Sequence, residues 1–146
     1  MQFLQFWFTP VSILIAALSL FLGVYNFRKQ ANIQIFLEFT KRYESIMDSF
    51  PPNARFYRLN TDSEPPESSN ELTIAVLKYL NLCAEEYYLR ETGQLSKKIW
   101  NIWKDELEKS LQSKLIKREW KTLKNEFSSY RKFQVYVDQI INRKNK

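Results

Sequence analysis

Histidine is absent from all 146 residues, and that removes most familiar catalytic centres. Ser-His-Asp and Cys-His nucleophilic centres, histidine-bearing zinc sites, the di-iron Glu-x-x-His arrangement and histidine-held haem all need an imidazole. Helical ribonucleases built on an arginine-histidine pair lose their key residue for the same reason. Two glycines, Gly23 and Gly93, cannot build a phosphate-cradling loop or a dinucleotide-binding turn. The chemistry left to this chain is that of carboxylates and lysines.

Glu85, Glu86 and Glu91 would offer oxygen ligands of the magnesium or calcium type if turned inward. On a helix, such residues read first as a solvated face. Glu119-Trp120-Lys121 spells the Glu-x-Lys of some metal-dependent nucleases, but those place the pair on a strand with a separate aspartate, and here the surrounding pattern is helical. Ser96 beside Lys97 and Lys98 reads as a helix cap in a basic first turn rather than a Ser-Lys dyad. Cys83 is the only cysteine. It closes no internal disulfide, which fits a reducing compartment, and it reads as a small buried hydrophobe. The sequence thus implies no catalytic residue, no cofactor and no metal.

The elements around these residues divide into two classes. Every charged residue lies at or beyond Arg28. From Pro10 to Phe27, 18 uncharged residues rise about 27 Å as a helix, close to the roughly 30 Å hydrocarbon core of a bilayer. Thr9 is expected as its cap and Pro10 as its first residue, where the missing N–H costs nothing. Phe3, Phe6, Trp7 and Phe8 suit the outer interface and Tyr25 and Phe27 the inner one. No lysine or arginine precedes the span, whereas Arg28 and Lys29 follow it. The positive-inside bias therefore predicts a single-pass inner or plasma membrane protein, N-terminus outside and residues 28–146 cytoplasmic. A cleaved signal peptide would carry a basic n-region, a shorter apolar core and a small-x-small cleavage site. The expected domains are an anchor over 1–27 and a helical domain over 28–146.

No glycine or proline interrupts 24–50, so the anchor helix is expected to continue until Pro51 and Pro52 end it. Ile33, Phe36, Leu37, Thr40, Tyr43, Met47 and Phe50 recur at helical spacing along it. A short helical turn is expected over 54–59, and TDSEPPESSN over 61–70 reads as an exposed loop. Asn70 is the expected cap of a helix from Glu71 to Gly93, where glycine suits a left-handed terminus. Ser96 caps the next helix, with Ile99, Trp100, Trp103, Leu107 and Leu111 in one arc facing the core. From Ser113, Ile116, Trp120, Leu123, Phe127, Tyr130, Phe133, Val137 and Ile141 predict a last long helix, broken near Ser128 and Ser129. Trp103 and Trp120 are expected as core residues. The fold class is all-α, one transmembrane helix continuing into a cytoplasmic bundle of about four helices.

The juxtamembrane helix RKQANIQIFLEFTKRYES, the helix LKYLNLCAEEYYLRETGQL, then KKIWNIW and Trp120 resemble small bacterial single-span proteins known only as domains of unknown function. In those, an apolar helix bearing a glutamate meets a glycine turn followed by a Trp-containing helix; Glu85 or Glu86, Gly93, Trp100 and Trp103 are the matching positions. The resemblance implies the layout and no activity. Some membrane-anchored phage-defence effectors look broadly similar in arrangement.

Charge is uneven along the chain. Residues 28–113 hold 12 basic against 13 acidic side chains, and residues 114–146 hold 10 against 3. Lys114, Lys117, Arg118, Lys121, Lys124, Arg131, Lys132, Arg143, Lys144 and Lys146 are the candidate contacts to anionic lipid, each worth about 1 kcal/mol near such a surface. A merely solvated face is the competing reading, and nucleic acid ranks behind both. The function expected is a non-enzymatic, membrane-anchored interaction module that binds a protein partner or itself, with its basic end on the inner leaflet. The alternative is a small defence- or toxin-type effector that oligomerises through its span. Ala16, Ser19 and Gly23 fall near one face and are the candidate span contacts. A carboxylate-only enzyme ranks last.

Overall fold

The computed structural model describes residues 2–60 and 62–143, with side chains described from Pro10 onward. The chain is all-α, and no strand occurs among the described residues. Helix α1 (Gln2–Asp48) is followed by a 3-10 turn (Tyr57–Leu59), α2 (Asn70–Glu91), α3 (Lys97–Gln112), α4 (Lys114–Leu123), a 3-10 stretch (Lys124–Tyr130) and α5 (Arg131–Ile141). Residues up to Leu37 form one compact unit, and those from Glu38 onward form a second.

The first unit is helix alone. Contrary to the expected start at Pro10, α1 begins at Gln2 and carries Pro10 inside. Proline removes one backbone hydrogen bond there, and the apolar residues before it tolerate helix, so the N1 preference is overridden. From Val11 to Phe27 every side chain is exposed.

In the second unit each boundary has a local cause. Beyond Asp48 the Ser49 and Phe50 N–H groups turn back to Ile46 and Met47, and Pro51-Pro52 stop the helix. The loop before α2 is mostly exposed, as expected. The cap of α2 is Ser69 rather than Asn70: its Oγ accepts from the Leu72 N–H at 3.2 Å, leaving Asn70 as the first helical residue. Gly93 has φ 71°, and the Gln94 and Gly93 N–H groups donate to the Leu89 and Arg90 carbonyls, the double bond pattern of a Schellman terminus. Leu95, which follows it, is buried. Ser96 caps α3 through the Ile99 N–H at 3.4 Å.

Ser113 is the single residue between α3 and α4. It ends one helix and caps the next, accepting from the Ile116 N–H at 3.2 Å, and it is fully buried. The expected last helix is two, α4 and α5. They are parted by the 3-10 stretch, where Phe127 adopts φ −97°, ψ 17° and drives its ring into the core.

That core is aromatic at one end and aliphatic along α2. Trp120, Phe127 and Phe133 stand 5.4, 5.7 and 6.5 Å apart, ring to ring, in tilted and edge-on pairs. Leu72, Val76, Leu80 and Leu82 of α2 are buried, as are Leu107 and Leu111 of α3 and Leu115 and Ile116 of α4. Trp103 corrects the expectation of two core tryptophans on α3 and α4. It is only half-buried and stacks on Phe39 at 5.3 Å, while Trp100, toward the Leu111 side of the arc, is buried.

Candidate functional site

The candidate span contacts Ala16, Ser19 and Gly23 lie on α1 and are exposed. A Cβ placed on Gly23 would meet nothing within 4 Å, so this glycine is not required by packing within the chain.

The basic third is less free than its composition implies. Lys114 pairs with Glu64, Arg118 with Glu119 at 2.9 Å, Lys124 with Asp138 at 2.6 Å, Lys132 with Glu91 at 3.1 Å and Arg143 with Glu108 at 3.2 Å. Lys117 donates to Gln112 at 2.9 Å. Among the described residues Lys121 and Arg131 make no ion pair and are exposed; Lys144 and Lys146 lie outside the described residues. Glu64, Glu91 and Glu108 come from upstream segments, so three of the seven excess positive charges counted along the chain are paired in space.

The residues weighed for catalysis are dispersed. Glu119 is buried and points to the loop, accepting hydrogen bonds from Ser68 (2.9 Å), Thr73 (2.7 Å) and Arg118 (2.9 Å), while Lys121 of the same tripeptide is exposed. Ser96 is a cap. Cys83 is buried, and burial followed by the proximity of Glu86 pushes its thiol well above the usual range. No group of three metal-ligating side chains occurs among the described residues.

Neither protein-family models, curated proteins nor solved structures give a match to this chain.

The feature that sequence reasoning missed is a polar junction where residues 38–48 of α1 meet α2, α3 and the 57–59 turn. Arg42 forms a two-pronged pair with Glu85, at 2.5 and 2.9 Å, and lies 5.1 Å over the Phe39 ring. Tyr43 donates to Glu106 at 2.7 Å. Arg58 bonds the Tyr43 hydroxyl, pairs with Glu106 at 3.2 Å and covers the Tyr43 and Tyr79 rings at 5.2 and 5.9 Å. Deeper, Tyr79 donates to Ser110 at 2.8 Å, and Ser110 donates to the Leu107 carbonyl at 2.9 Å.

Glu86 lies within this junction, only 7% exposed, and corrects the reading of Glu85, Glu86 and Glu91 as one solvated face. Burial, followed by repulsion from Glu106, raises its pKa to about 8. The side-chain hydrogen bond to Glu85 instead leads the causes that raise the Arg42 pKa. Two guanidinium groups are thus each taken by a partner, and Glu86 has neither.

Proposed function

We propose that this chain is a single-pass membrane protein whose helical domain, on the cytoplasmic side, is a non-enzymatic interaction module. One observation carries the anchor: eleven large apolar side chains from Val11 to Phe27 are each 47% exposed or more. A core helix would bury such a window, yet none of this one is buried. At about 1.5–3 kcal/mol for each such side chain when fully buried, leaving eleven largely in water forfeits on the order of 10–20 kcal/mol, comparable to a typical domain's entire stability. Hydrocarbon is the environment that removes this cost. Arg28 and Lys29, directly after the apolar run, support the cytoplasmic side for the rest.

Carbonate extraction of membranes should leave the chain in the pellet, and release into the supernatant would end the anchor reading. For sidedness, a green fluorescent protein fused after Lys146 should shine and an alkaline phosphatase at the same place should be silent. The reverse pair of results would invert the topology.

Lipid contact by the basic end is a weaker part of the proposal, because five of the ten cations are paired internally. Lys121 and Arg131 together would contribute about 2 kcal/mol at an anionic surface. Co-sedimentation of residues 38–146 with phosphatidylglycerol vesicles should therefore be weak. It should vanish toward 1 M salt, where the Debye length is about 3 Å, and in the K121E/R131E double variant. Binding indifferent to salt would remove electrostatic lipid contact from the model of function.

A further inference from the structure

The junction holds its charges in an arrangement with one member left over. Glu85 occupies Arg42 through two hydrogen bonds, and Glu106 faces Arg58 as an ion pair at 3.2 Å. Glu86, the most buried of the three carboxyls, forms no hydrogen bond or ion pair among the described residues. Glu106 of α3, Arg42 of α1 and Glu85 of its own helix act on its carboxyl, and its charge acts on the Cys83 thiol; Glu38 beside Arg42, and Tyr79 and Arg58 beside Cys83, complete the charged and titratable groups of the cluster. Ionised, it would be a third negative charge around two cations that each already face a carboxylate, Glu85 and Glu106. Protonated, it is a neutral group in a site that tolerates one.

The same place is where the last turns of α1 are held. Phe39, Met47 and Phe50 are buried there, and Arg42 and Tyr43 supply the polar clasps to α2 and α3. A groove of about 410 Å³ lined by Arg42, Ser45, Ile46, Lys78, Asn81 and Glu85 runs alongside, giving water a route to the junction.

We propose that Glu86 is a proton switch for the docking of residues 38–48 of α1: its neutral form keeps them seated against α2 and α3, and its ionisation loosens them. Burial and the Glu106 charge place the titration in the docked state near pH 8, within reach of cellular pH. Undocking gives the carboxyl back to water and to its ordinary range near 4.5. A pKa raised in the docked state means that docking is fully favoured at low pH and is lost as pH rises through about 8. Tyr79 and Cys83, the other acidic protons of α2 in the cluster, are held neutral by burial across the same interval.

Amide hydrogen exchange on the full chain in detergent micelles tests this, with each rate divided by its intrinsic rate at that pH. Between pH 6.5 and 9.5 the opening equilibrium of amides 40–48 should rise about thirtyfold, as follows from carboxyl pKa values near 8 docked and 4.5 undocked. Amides 115–120 of α4 should hold their protection and serve as the internal reference. In E86Q the rise should disappear. A parallel carbon-13 titration of the Glu86 carboxyl in the unaltered chain stands even if E86Q folds poorly. A midpoint near 4.5, constant protection of 40–48 in the unaltered chain, or the same thirtyfold rise in a folded E86Q would each overturn the switch.

Discussion

Replacing Trp120 by alanine should cost the helical domain about 5 kcal/mol, enough to unfold much of it at room temperature. The indole is 3% exposed and packs against Phe127 and Phe133, so truncation opens a cavity worth about 3–5 kcal/mol. Its Nε1–H also donates to Asp138 at 2.9 Å, and that bond contributes about 1 kcal/mol more. Burial alone would raise the Asp138 pKa, but the hydrogen bonds from Lys124 and Trp120 outweigh it and hold the carboxyl below its usual range. Trp120→Phe keeps most of the ring contacts and loses the bond, so a loss of about 1–2 kcal/mol is expected. Trp103→Ala is the contrast: a half-buried ring stacked on Phe39 should cost about 1–2 kcal/mol. Denaturant unfolding of the full chain in micelles, followed by near-ultraviolet circular dichroism, ranks the three. Equal midpoints for Trp120→Ala and Trp103→Ala would contradict the assignment of Trp120 to the core.

Glu119→Ala should be almost as damaging, at about 3–5 kcal/mol, though it removes little volume. The carboxylate is 2% exposed and is the acceptor on which Ser68, Thr73 and Arg118 converge. Its loss removes an acceptor from the Ser68 and Thr73 hydroxyls and leaves a partly buried guanidinium without its carboxylate, the costly way to break an ion pair. Arg118 also donates to the Pro66 carbonyl at 2.7 Å, so the same change slackens the strap that lays the loop before α2 over α4. Glu119→Gln keeps the shape and one acceptor oxygen but turns the other into a donor, for an expected loss of about 1–3 kcal/mol. Limited proteolysis gives a second readout: cleavage within 62–69 should begin in Glu119→Ala at temperatures where the unaltered chain is intact. A loop that stays resistant, with an unchanged thermal midpoint, would mean that Glu119 does not hold it.

What could be read from the sequence was local. Gly93, Ser96 and the Pro51-Pro52 pair announce helix ends through their own backbone chemistry, and the structure puts ends at each. Ser69 and Asn70 are both good caps one position apart, so residue type alone could not choose between them. Trp100 and Trp103 fall in one arc when an arc is drawn broadly, yet only its side bearing Trp100, Leu107 and Leu111 reaches the core. The polar junction was invisible because its partners are 43 positions apart for Arg42 and Glu85 and 63 for Tyr43 and Glu106. Glu85 and Glu86 are identical letters side by side, and a 100° turn of the helix separates a surface ion pair from a buried carboxyl. The basic third misled for a related reason: charge counted along a chain says nothing about acidic side chains that fold over it from elsewhere.

The one-residue joint at Ser113 sets a rule for how this chain can change in length. An added or deleted residue there would rotate α4 by about 100° relative to α3 and swing Trp120 and Glu119 out of register together. The exposed stretch 62–64 imposes no such phase relation on the elements it links. Insertions carried into this protein by evolution or by an engineer can be absorbed there, whereas the α3–α4 joint is a fixed angular setting with no slack.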